Sequence, residues 1–125
     1  MKNLSPEETI LSGSWAKTAE GVRGDDVSRR IEWLTSEVLR PVAVRRDSGG
    51  WAVLFEDPAD GRRWLREYPQ GGFHGGGAAT LRAVSLSASD LSRDYVPYQE
   101  WVDETERDRR ARGIKIVRRP EPPAD

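Results

Sequence analysis

The sequence predicts a small α+β fold: a mainly antiparallel sheet of four or five strands, one helix packed on it, and a second helix toward the C-terminus. Three observations lead there. Val27, Ile31, Leu34 and Val38 recur at i, i+4, i+7 and i+11, so residues 26–38 carry one apolar helical face. Two segments that each carry apolar residues on both faces, 51–55 and 62–68, flank the turn string Asp57-Pro58-Ala59-Asp60-Gly61 and read as a hairpin. Tyr98, Trp101 and Val102 share one side of a helix opened by Pro97. With 125 residues, 36% hydrophobic, the chain can fill one modest core. Residues 1–113 are therefore expected as a single domain, and 114–125 as a partly disordered tail.

At the N-terminus, Ser5-Pro6-Glu7-Glu8 has the composition of a helix start: a cap, a first-position proline and two carboxylates near the dipole. Ser12-Gly13-Ser14 must end that helix quickly. A strand holding Trp15 is expected over 14–20, and a turn from Gly21 to Gly24. Asp25 or Asp26 can cap the helix over 26–38, which Pro41 terminates. Val42 and Val44 alternate with Ala43 and Arg45 in a strand. Asp47-Ser48-Gly49-Gly50 is a turn cluster. Trp51, Val53 and Phe55 then share one face of the next strand and Ala52 and Leu54 the other, as in a strand buried on both sides.

In the strand over 62–68, Arg62, Trp64, Arg66 and Tyr68 face one way, and Arg63, Leu65 and Glu67 the other. Pro69 ends it. Five glycines in the eight residues 70–77 make the next segment a loop. Residues 80–86 are a strand, and Ser87 caps a short helix ending near Tyr95. The helix over 97–112 becomes polar all round after Thr105. It is laced by acid-first pairs: Asp103 with Arg107, Glu106 with Arg110, Asp108 with Arg112. Gly113 ends it. Ile114, Ile116 and Val117 could form an edge strand or a docking segment.

Composition removes several function classes. There is no cysteine, hence no disulfide scaffold, no Cys zinc site and no thiol nucleophile. Neither a membrane-length apolar run nor a signal-peptide core is present, and a cytoplasmic protein is expected. Lys and Arg number 20 against 21 Asp and Glu, so the net charge is −1 and no overall basic bias favours nucleic acid.

Several strings invite chemistry. His74-Gly75-Gly76-Gly77 resembles an oxyanion-hole motif, but no G-x-S-x-G accompanies it and His74 is the sole histidine. The same glycines could cradle an anion through backbone N–H groups, or simply form a wide turn. Asp57 and Asp60 could hold a hard cation, although their spacing suits a turn better. The face of Arg62, Trp64, Arg66 and Tyr68 has three readings: a stacking platform for single-stranded bases, a protein interface, or a sheet face with arginine stems lying over rings.

One ordered set of pieces goes further. Arg30-Ile31-Glu32-Trp33-Leu34 is followed by Gly50-Trp51, by Asp57-Pro58-Ala59-Asp60-Gly61-Arg62 with Trp64, by Tyr68-Pro69-Gln70, and by His74-Gly75-Gly76-Gly77. In this order the chain resembles the Imm27 immunity proteins of bacterial polymorphic toxin systems, over roughly residues 4–95, with 96–125 an extension. The resemblance implies a small α+β fold and a non-enzymatic protein without cofactor or metal. It implies a cognate toxin domain as partner, blocked sterically. The expected partner-binding residues are Arg62, Trp64, Arg66, Tyr68, Gln70 and His74. Trp33, Trp51, Asp57, Gly61, Gly75, Gly76 and Gly77 are expected as structural motif residues. The alternative is a small nucleic-acid- or anion-binding module using the Arg/Trp strand face and the glycine loop.

Overall fold

In a computed structural model, residues 1–18, 21–68 and 78–112 are described, with 15–18 and 21–24 as backbone only. In chain order the elements are β1 (Ile10–Ser12), β2 (Trp15–Thr18), β3 (Gly21–Gly24), α1 (Asp26–Trp33) continued by a π-helical turn (Leu34–Val38), β4 (Arg40–Arg45), β5 (Val53–Glu56), β6 (Arg63–Glu67), β7 (Thr80–Val84), α2 (Ala88–Asp94), β8 (Tyr95–Pro97) and α3 (Tyr98–Ala111). The fold is α+β. One antiparallel sheet runs β1-β7-β6-β5-β4-β8, and β2 and β3 form a separate ribbon. The sheet has six strands rather than four or five because the short β1 and β8 close its two edges.

Both faces of the sheet are covered. On the first, Trp64, Phe55, Val53, Val44, Leu81 and Leu11 meet Ile31, Leu34 and Leu39, with Trp33, Tyr98 and Trp101 packed around them. On the second, Leu65, Leu54, Ala43 and Ala52 meet Tyr95, with Leu91 and Val84 at the margin. The helical stripe does its expected work. The path of the helix changes, however, because the Thr35 and Ser36 hydroxyls bond back to the carbonyls of Ile31 (2.9 Å) and Glu32 (2.8 Å). The Leu39 amide then reaches the Leu34 carbonyl at 2.7 Å, a π-type closure.

Local signals explain several boundaries. Asp25 caps α1 by accepting from the Ser28 amide at 2.8 Å. Ser87 and Asp90 form a reciprocal capping box on α2. In the turn between β5 and β6, Asp57 Oδ1 accepts from the Ala59 amide at 2.9 Å, and Gly61 takes φ +78°. Of the three predicted pairs on α3, Asp108 and Arg112 meet at 3.2 Å, whereas Asp103 accepts from Gln99 instead. Gly50, at φ +92°, lies under the Trp101 ring, where a Cβ would stand 2.8 Å from Cζ2; α3 docks there.

Two local expectations need correction. Gly21–Gly24 is not a turn: it pairs with Trp15–Thr18 as a strand, Gly24 opposite Trp15 and Gly21 opposite Thr18. The segment around Ser5-Pro6-Glu7-Glu8 makes only one turn, in which the Ser5 amide donates to Glu8 Oε1 and the Glu8 amide to the Ser5 carbonyl. No helix follows, because the Thr9 carbonyl accepts from Ala83 and the next residues pair with β7. The tail residues 114–125, with Ile114, Ile116 and Val117, lie outside the described residues.

Two arginines strap this N-terminal segment to the first face. Arg30 makes a bidentate pair with Glu8, both distances 2.8 Å, and donates to the carbonyls of Lys2 and Asn3. The Arg30 guanidinium is the main cause that lowers the Glu8 carboxyl from 4.5 to about 2. A carboxyl whose folded value is depressed stabilises the fold above its unfolded value and loses that effect as pH falls through the folded one. The Glu8→Gln variant is therefore expected to be less stable than wild type at pH 7. The gap should close as pH falls from 4.5 toward 2, read as urea midpoints across that range.

Candidate partner-binding surface

The face predicted as the binding surface of β6 is the inner face. Trp64 stands opposite Phe55 on β5 and Ala83 on β7, is 0% exposed, and sits in the first core. Arg62 is occupied as well. It donates to the carbonyls of Glu8 (2.8 Å) and Ser5 (3.0 Å) and to Asp60 (2.8 Å), with its guanidinium 4.8 Å from the centroid of the Trp64 ring. These two residues are corrected from contact residues to a core side chain and a strap. The base-stacking reading loses its platform with them. Asp57 is buried in its turn, and both Asp60 oxygens accept from Arg62, so the pair is spent on turn structure.

Arg66 and Tyr68 behave differently. Arg66 lies in the cross-strand row of Val44, Val53, Leu81 and Leu11, partly exposed. Its guanidinium stands 5.3 Å from the Phe55 centroid and 5.7 Å from the Tyr68 centroid, and its Nε is buried without an acceptor. Tyr68 in turn meets Trp51 edge to face, centroids 5.0 Å apart. Alternation predicts Trp51 on one strand face with Val53 and Phe55. Trp51 precedes the start of β5, just past the turn at Gly49 and Gly50, and is 52% exposed. Trp33, by contrast, packs against the first core.

The structure thus assembles the exposed Trp51 with the half-buried Tyr68 and Arg66 into one aromatic and cationic cluster. Sequence reasoning placed the last two together and missed the first. Gln70, His74, Gly75, Gly76 and Gly77 lie outside the described residues. Such a cluster offers a rigid apolar edge and one charged donor, which suits a protein surface better than a small-molecule reaction. Among the described residues, no helix is long and apolar enough to cross a membrane.

Comparison with known families decides the identity. Residues 17–85 match the family Imm27, Immunity protein 27. The chain belongs to this family. The region matched to Immunity protein 27 runs from within β2 to just past β7 and holds the whole Trp51, Tyr68 and Arg66 cluster. In this Imm27 protein α2, β8 and α3 follow the matched region, yet α3 seats Trp101 on Gly50 and so braces the turn that presents Trp51. No curated protein and no solved structure is similar enough to match.

Proposed function

We propose that this protein neutralises a bacterial toxin domain by binding it and covering its active site or the approach to it. It works in the cytoplasm of a cell exposed to that toxin, as part of a polymorphic toxin system, and performs no catalysis and needs no cofactor. The observation that carries this reading is the exposed Trp51, packed on Tyr68 beside Arg66, within the segment matched to Immunity protein 27. Tryptophan, tyrosine and arginine are the residues that most often concentrate binding energy at protein interfaces. Half-burial of a large ring on a monomer leaves apolar area that a partner can remove from water. Gln70 and His74, next along the chain, extend the proposed contact region.

The test is co-expression with the toxin domain encoded by the neighbouring gene. Cells carrying the toxin alone are expected to die, and cells carrying both to grow. Purified, the two proteins should form a stable complex in which toxin activity is lost. Growth arrest despite abundant soluble immunity protein would overturn the reading.

A further inference from the structure

The second face of the sheet carries a guanidinium that no group among the described residues uses. Arg40 pairs with Glu56 at 3.2 Å, and Arg45 and Arg82 share Glu67 at 2.9 and 3.1 Å. Arg46 donates to the carbonyls of Ser92 and Arg93. Arg62 is spent on the N-terminal strap, and Arg66 stacks on two rings. Among the described residues of the sheet, Arg63 alone has neither a carboxylate, a carbonyl nor a ring. Its nearest acid by register is Glu56, directly opposite on β5, whose carboxylate is held by Arg40.

Arg63 also lines two concavities. One, of about 380 Å³, lies between β4, β8 and α2 and is walled by Val42, Ala43, Leu91, Tyr95 and Pro97, with Arg46 and Ser92 at its margin. The other, of about 580 Å³, is lined by Arg62, Ala83, Val84, Ser85 and Leu86. A partly buried, unpaired guanidinium in an apolar groove is costly to leave alone and strongly favourable once it meets a carboxylate in its planar fork. A free guanidinium among apolar walls, with the carbonyl-bound Arg46 and Arg62 at its two sides, matches an acidic side chain flanked by apolar residues. It does not match a phosphate backbone, which rewards a track of several free cations.

We infer that Arg63 and the two concavities it lines form a second contact site for the toxin, receiving an Asp or Glu carried on a segment with apolar flanks. This rests on the toxin-binding reading above and adds a contact on the face opposite Trp64. Because the Arg63 side chain makes no hydrogen bond or ion pair among the described residues, Arg63→Gln should keep the wild-type thermal midpoint, whereas Arg63→Glu, placed opposite Glu56, should lower it slightly.

The experiment is calorimetric titration with the neighbouring toxin domain, inactivated by mutation of its own catalytic residue. Arg63→Gln should weaken binding by roughly 10- to 100-fold, and Arg63→Glu by more, as expected for loss of a charged, partly desolvated pair. Arg63→Lys should restore part of the loss. Wild-type affinity in both Gln and Glu variants would overturn the inference while leaving the toxin-binding reading intact. Absence of binding by wild type itself would overturn both. A loss confined to single-stranded RNA, measured with polyuridylate, would replace the acidic segment with a nucleic acid and likewise overturn it.

Discussion

Trp64→Ala is expected to lower the unfolding free energy by about 3–5 kcal/mol, the usual cost of deleting a fully buried large aromatic. That is a large part of the roughly 5–15 kcal/mol that holds a domain folded. The reason is geometric. Trp64 is 0% exposed at the centre of β6, with the small Ala83 on one side making room for the indole and Phe55 on the other. Its ring supports Arg62, which ties Ser5 and Glu8 across the face. Truncation opens a cavity under α1 and loosens the strap above it.

Trp64→Phe separates packing from polarity. The indole Nε1 is buried with no acceptor, so removing it deletes no hydrogen bond. The lost volume is then partly offset by relief of an unsatisfied buried donor, and the expected cost is about 1–2 kcal/mol. Urea unfolding of wild type and both variants checks the pair of values. A Trp64→Ala variant as stable as wild type would mean that the ring is not the keystone of the first core.

The hidden role of Trp64 shows where sequence reasoning stops. Turn and cap chemistry is local, so Asp57 through Gly61, the caps at Asp25 and Ser87, and the helix start at Pro97 were legible. Alternation along β6 correctly sorted Arg62, Trp64 and Arg66 from Arg63 and Leu65. It could not say which set points inward, because this sheet is covered on both faces and Leu65 is as apolar a clue as Trp64. Arginine misled further: a guanidinium near a tryptophan reads as a binding surface, yet Arg62 turns out to serve backbone carbonyls more than 50 positions earlier in the chain.

Short elements escaped for a different reason. β1 has three residues, too few for a period, and is defined by its pairing with β7. Alternation along 51–55 puts Trp51 on one strand face with Val53 and Phe55. The strand begins only at Val53, because the turn with Gly49 and Gly50 at positive φ delivers the chain from another direction. The exposure that makes Trp51 a candidate anchor is therefore a tertiary property, fixed by the turn and by the Trp101 ring that packs against it.

That exposure carries the second large effect. Trp51→Ala is expected to weaken binding of the toxin domain by at least about 2 kcal/mol, or roughly 30-fold in Kd, as for a central interface aromatic. Its effect on stability should stay within about 1 kcal/mol, because half the ring is already in water. Arg66→Glu should also weaken binding, and the two substitutions should not add. Tyr68 touches both side chains, so disturbing one misplaces the other.

Arg62→Ala is the informative contrast. It removes three bonds to the N-terminal segment and to Asp60, and should cost stability while leaving the affinity of the folded protein nearly unchanged. Measuring Kd and thermal midpoint for all three variants therefore separates a contact surface from a structural one. If Trp51→Ala binds the toxin as wild type does while Arg62→Ala does not, the partner sits over the N-terminal strap and the aromatic cluster is not the interface.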